Sequence, residues 1–124
     1  MMMTIDEVAA ALRRLRVPKI IDEYKLQSMV ADVLREAGLP AEKEYRLGPR
    51  SRIDFLVEGG IGVEVKKGKP PKLAVIAQIE RYAACHQITG IILIVEQLIH
   101  DVPKEISGKP CLLIALNKLW GIAL

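Results

Sequence analysis

Aromatic residues are scarce in this chain, with one Phe, one Trp and three Tyr among 124 residues. So few rings cannot build the row of stacking platforms on which sequence-tolerant single-strand binders rely. Two cysteines, Cys85 and Cys111, cannot staple a disulfide scaffold, and a reduced, cytoplasmic setting is the expectation. Two cysteines and two histidines, widely separated, fit no zinc or iron–sulfur spacing. No apolar run reaches the roughly 18 residues of a membrane span. The segment from Met1 to Glu7 lacks the basic and apolar regions of a signal peptide. Repeats and low-complexity stretches are also missing. Neither a membrane partner nor a small-molecule cofactor is expected.

What is present is a globular composition, 51% hydrophobic and 27% charged. The expectation is one domain over residues 1–124, with a core at about 20–115 and an added N-terminal helix at about 4–16. The net charge of +3 is unevenly spread. Between residues 43 and 72, eight basic residues (Lys43, Arg46, Arg50, Arg52, Lys66, Lys67, Lys69 and Lys72) face four acids. Such a stretch is either a solubilising surface or a seat for phosphates.

Thr4-Ile5-Asp6-Glu7 has the form of a capping box and opens a first helix carrying Val8, Ala11, Leu12 and Leu15 on one stripe, with Pro18 as its stop. A second helix spans about Ile20 to Ala37, with Leu26, Met29, Val30, Val33 and Leu34 at helical spacing and Gly38 as its cap. The period then changes to two. Residues 42–47, 52–57 and 61–66 read as three strands, a third helix as Lys72 to His86, and Ile91 to Val95 as a buried central strand. Residues 101–109 read as a looser stretch, 111–115 as a last strand, and the tail with Trp120 is expected to pack on the domain. The order implies an α/β fold with a mixed sheet covered on both faces.

Parity along the strands makes a finer prediction. If Ile53, Phe55 and Val57 enter the same core layer as Ile61, Val63 and Val65, then Phe55 lies opposite Val63 and Val57 opposite Ile61. That register needs Glu58-Gly59-Gly60 as a three-residue turn, for which glycine supplies a positive φ. It sets Asp54 opposite Glu64, with Cα atoms about 4.5–5.5 Å apart, and Lys66 on the same face. Two adjacent carboxylates repel, and a divalent cation relieves them. Mg²⁺ is held by one or two carboxylates with water and phosphate oxygens, and a nearby ammonium suits phosphodiester hydrolysis. A surface hairpin with a cross-strand Glu–Lys pair would carry the same residues.

Arg52-Ile53-Asp54-Phe55-Leu56-Val57 followed by Gly62-Val63-Glu64-Val65-Lys66 resembles the PD-(D/E)xK nuclease superfamily. Asp54 matches its first acid and Glu64-Val65-Lys66 its (D/E)xK element, with Ile53 in place of the name-giving proline. Gln78 and Tyr82 resemble the Q-x-x-x-Y element of RecB-type and phage exonuclease-like members, and Glu23 resembles the acid these proteins often carry in the helix before the sheet. The likeness spans about residues 20–96. It implies a restriction-endonuclease-like, three-layer α/β/α fold, in which an antiparallel meander leads to a crossover helix and a parallel strand. It further implies a Mg²⁺-dependent deoxyribonuclease, with Mn²⁺ as a substitute. Asp54, Glu64 and the main-chain carbonyl of Val65 would be the metal ligands. Lys66 would serve the attacking water, Gln78 would orient Lys66 or substrate, and Tyr82, Lys67, Lys69, Lys72, Arg50 and Arg52 would meet DNA. A homodimer or higher oligomer is the expected assembly. A dimeric junction-resolving endonuclease and an exonuclease both remain open. So does a non-catalytic DNA-binding or assembly subunit of a repair or phage complex.

Overall fold

Apolar side chains recur at two sides of a central sheet, and each side recruits its own helices. A computed structural model describes residues 4–17 and 21–117. Its elements are α1 (Ile5–Leu12), α2 (Glu23–Glu36), β1 (Ala41–Gly48), β2 (Ser51–Val57), β3 (Ile61–Lys66), α3 (Lys72–Ala83), β4 (Gly90–Val95), β5 (Glu105–Ile106) and β6 (Lys109–Ala115). The six-stranded mixed sheet runs in the order β1-β2-β3-β4-β6-β5. β1, β2 and β3 form an antiparallel meander, and β3, β4 and β6 pair in parallel. One core gathers Val8, Leu12, Leu26, Val30 and Leu34 of α1 and α2 on Phe55, Val63, Val65, Ile92 and Ile94. The other gathers Val75, Ile79 and Tyr82 of α3 on Ile91, Leu93 and Val95. β4 is therefore buried at every position, as a strand in mid-sheet must be.

The helices start where local chemistry allows. Thr4 accepts the Glu7 N–H at the head of α1, and Asp22 accepts the Lys25 N–H at the head of α2. α1 is shorter than expected and ends at Leu12. Three-residue bonds from Arg14 to Ala11 and from Leu15 to Leu12 tighten the exit, yet Leu15 still reaches the core. The expected stop at Pro18, the start at Ile20 and the packing of Trp120 lie outside the described residues. α2 closes with Gly38 at φ 72° and the Leu39 N–H bonded back to Leu34 O, a left-handed C-terminal cap. α3 stops at Ala83, not His86, because Lys109 Nζ on β6 donates to Ala83 O at 2.7 Å and Cys85 O at 2.9 Å. This cation serves the orphan carbonyls of the helix end. In the stretch expected to be loose, Ser107 and Gly108, both with positive φ, turn β5 back onto β6.

The hairpin has the expected register. Phe55 pairs with Val63, Leu56 with Gly62 and Val57 with Ile61. Gly59 and Gly60 turn it at φ 97° and 87°. The turn is docked, because the Thr89 N–H and Oγ1 bond Gly60 O and Gly59 O at 2.8 and 2.6 Å. Ile53 departs from expectation. It does not share the layer of Phe55 and Val57 but joins the α3-side core. The cause lies in the neighbouring strand. Between the pairs Lys43–Phe55 and Tyr45–Ile53, Glu44 takes a left-handed φ of 53°, so the ribbon twists and carries Ile53 over. There Ile53 covers Gly62, where a Cβ would overlap Ile53 Cδ1 and press Ile88 Cδ1 at 3.1 Å.

Gly62→Ala should therefore lower stability by about 1–3 kcal/mol in denaturant unfolding. Adding Ile53→Val, which removes the overlapping methyl, should recover part of that loss, so the double-mutant cycle should be non-additive.

Candidate active site

The β2–β3 ladder does not continue to the next pair. After Phe55 and Val63 the main chains no longer bond one another, and the side chains of Asp54 and Glu64 take over. Glu64 Oε1 accepts the Asp54 N–H at 3.1 Å, and Asp54 Oδ2 accepts the Val65 N–H at 2.7 Å. Each carboxylate thus meets an N–H that the ladders leave unpaired, that of Val65 beyond the last β2–β3 pair and that of Asp54 where the β1–β2 register omits a Glu44–Asp54 pair, which draws both acids toward the seam between the strands. Lys66 Nζ lies 3.3 Å from Glu64 Oε2 and keeps a quarter of its side chain in solvent. The three groups expected to converge do so, held by reciprocal bonds and not by a direct cross-strand pair.

Main-chain alternation also orients Val65. The Lys66 carbonyl accepts from Glu96 on the β4 side. The preceding residue therefore turns its N–H and C=O toward β2. The N–H is spent on Asp54, and the carbonyl faces the opened seam. Among the described residues no three His, Cys, Asp or Glu side chains converge as a metal-binding group. Mg²⁺ does not require three, since one or two carboxylates with water and phosphate oxygens suffice. The donor set fits such an ion. Asp54 Oδ1 takes no hydrogen bond from the described residues, while Asp54 Oδ2 and both Glu64 oxygens are engaged.

Glu64 is only 5% exposed, and it is gripped from α3 as well. Tyr82 Oη shares its proton between Arg52 O at 3.0 Å and Glu64 Oε2 at 3.2 Å, and it accepts from Gln78 Nε2 at 2.8 Å. Burial, then the Glu64 charge, pushes the Tyr82 phenol up, so it stays a neutral donor. One expectation is corrected here. Tyr82 is 2% exposed and cannot meet DNA. Gln78, half-buried, donates to Tyr82; of the two roles expected of it, nothing among the described residues shows a contact with Lys66 and nothing contradicts one with substrate. The helical four-residue spacing put both on one face, but nothing local in the sequence says which way that face turns.

Asp54 carries the electrostatic cost. Its carboxyl is pushed up to about 7, first by burial and then by Glu64, with a smaller contribution from Glu23; the Val65 N–H and Lys66 oppose the rise. Glu23, exposed in the first turn of α2, is thus close enough for its charge to act on Asp54. The expected DNA-contact residues Arg50, Arg52, Lys67, Lys69 and Lys72 all stand on the surface. Two of them are engaged. Lys67 lies 4.0 Å from Glu96, and Lys72 lies 3.6 Å from Asp101. Glu96, 8% exposed at the end of β4, is a contact the sequence reading missed; its only signal is an acid directly after a wholly apolar strand. Of the cysteines, Cys111 is buried and Cys85 half-buried, and both are free. Comparison with family models, curated proteins and solved structures finds no match to this chain.

A raised acid pKa makes a signed prediction. Metal-free protein gains from a neutral Asp54, so this contribution is whole below about pH 4 and is lost as pH rises to about 7. In EDTA at pH 8, Asp54→Asn should melt higher than wild type, because Asn keeps an acceptor for Val65 without the charge. Added Mg²⁺ should raise the wild-type Tm at pH 8, less so at pH 6, and leave the variant unmoved. Separately, Tyr82→Phe should lower stability by about 1–2 kcal/mol in denaturant titration, since Glu64, Arg52 and Gln78 each lose a partner.

Proposed function

We propose that the chain is a metal-dependent deoxyribonuclease with a three-layer α/β/α, restriction-endonuclease-like fold. The observation that carries this reading is the seam itself. Two carboxylates interlock across an opened ladder, with an ammonium 3.3 Å from one of them. A surface hairpin with an ordinary Glu–Lys pair does not need to break its ladder or bury its acid. The two cores on opposite sides of the sheet and the crossover helix between parallel strands support the fold assignment.

In this reading Asp54, Glu64 and the Val65 carbonyl would hold the ion. A bound Mg²⁺ supplies Lewis acidity toward the phosphate and a more acidic water. Tyr82 and the Asp54 N–H fix the Glu64 carboxylate, so it need not reorganise when substrate arrives. Lys66 Nζ, a donor with no acceptor capacity while charged, holds the attacking water and a non-bridging phosphate oxygen by N–H donation. The water oxygen would bond phosphorus as the phosphorus–ester bond breaks, the proton lost by the water passing to solvent and the leaving ester oxygen taking one from solvent. Gln78 acts one step back, by holding Tyr82. Exposed Arg50, Arg52 and Lys69 contact backbone phosphates, so affinity falls with salt and carries little sequence information.

The test is incubation of the pure chain with linear, circular, single-stranded and branched DNA in Mg²⁺, Mn²⁺ or EDTA. Cleavage should need the metal. Asp54→Ala, Glu64→Ala and Lys66→Ala should each slow it by about a hundredfold or more while circular dichroism stays native. Lys66→Ala at the wild-type rate overturns the role given to the amine. Metal-independent or absent cleavage of every substrate overturns the enzyme reading.

A further inference from the structure

We propose that Tyr24 and Lys43, beside the Asp54–Glu64 seam, form a seat for an unpaired nucleotide, so that DNA with single-stranded character is the preferred substrate. This rests on the nuclease reading and names the substrate class of the same site. Among the described residues Tyr24 and Leu73 are the exposed large hydrophobics, and Tyr24 is 77% open to solvent.

Its position is the second observation. Tyr24 follows Glu23, whose charge acts on Asp54, in the first turn of α2. Lys43 Nζ stands over the Tyr24 ring, 5.5 Å from its centroid. On β1, Lys43 is the cross-strand partner of Phe55, the residue next to Asp54. Ring and ammonium are thus carried by residues next in sequence or cross-strand to Glu23 and Phe55, the neighbours of Asp54 in charge and in chain.

The pair matches one nucleotide in chemistry. A base stacks on the open face of the ring, an interaction worth about 1–3 kcal/mol. The ammonium answers the phosphate that the base carries. Inside a duplex both faces of a base are already covered by its neighbours, so only an unpaired or terminal base can use the ring. Lys43 also borders an apolar groove of about 450 Å³ between α2 and β1, walled by Leu34, Leu39 and Phe55, where Arg35 is already paired with Asp32 at 2.8 Å. An apolar floor with the Lys43 ammonium at its rim suits a strand whose bases are unpaired and whose backbone is anionic.

Binding in EDTA, where no turnover intervenes, tests this apart from catalysis. The probes are a short blunt duplex and the same duplex carrying single-stranded arms. Wild type should bind the armed duplex more tightly. Tyr24→Ala should weaken armed binding about tenfold, change blunt binding less than about twofold, and Tyr24→Phe should restore it. Lys43→Ala should weaken armed binding and reduce its salt slope by about one. Equal loss on both probes, loss on neither, or no DNA binding at all overturns the proposal. Absent cleavage in Mg²⁺ with the arm preference intact overturns the nuclease reading alone.

Discussion

The structure turns on a seam where a β-ladder stops and two side chains continue it. Ordinary antiparallel strands satisfy their main-chain groups with one another. At Asp54 and Glu64 the main chains part, and an orphan N–H on each strand is met by a carboxylate from the other. A partly buried main-chain donor left unmet would be costly, so the fold enforces the side-chain geometry. The acids are thus placed as accurately as the sheet itself. In exchange, two anions lie in partly desolvated surroundings, and the rise of the Asp54 pKa to about 7 expresses that strain. The Lys66 ammonium, 3.3 Å from Glu64, offsets part of that cost, and in the proposed reading a divalent ion would offset the rest.

Remote packing holds the seam open. Gly62 omits a side chain so that Ile53 can lie across β3, and the left-handed Glu44 twists the ribbon that brings Ile53 there. On the far side Lys109 ties the end of α3 to β6, which fixes the height of Tyr82 and hence its grip on Glu64. These contacts come from five separate elements. A change in any of them can reach the carboxylates without touching them.

Much of this was legible in residue order, for a definite reason. Strand parity has only two values, so Phe55, Val57, Ile61 and Val63 together with Gly59-Gly60 leave one register, and the gathering of Asp54, Glu64 and Lys66 follows from it. What parity cannot show is where it fails. Ile53 has the parity of Phe55 yet faces the other core, because the twist is set by Glu44, a residue with no turn signature. Tyr82 and Gln78 were correctly paired on one helix face, but the rotation of α3 about its axis is a tertiary property. The short β5 and the Lys109 cap likewise depend on partners far along the chain. Local rules captured spacing, and long-range packing decided direction.

Electrostatics then orders the proposed events. With Asp54, Glu64 and the nearby Glu23 ionised, three carboxylates face one close ammonium, that of Lys66. A phosphodiester brought there meets repulsion of roughly 3 kcal/mol per like charge at about 5 Å and an effective dielectric of about 20. The surface lysines do not reverse this, since Lys67 and Lys72 are partly neutralised by Glu96 and Asp101. Polyanion can approach the outlying cations, but not the seam, until a divalent ion inverts the local sign. In the proposed reading such a nuclease would dock DNA on its outlying groups without metal but would not admit a scissile phosphate to the seam. On that reading the repulsion between Asp54 and Glu64 would order metal before substrate, and would not be merely a cost of placing two carboxylates side by side.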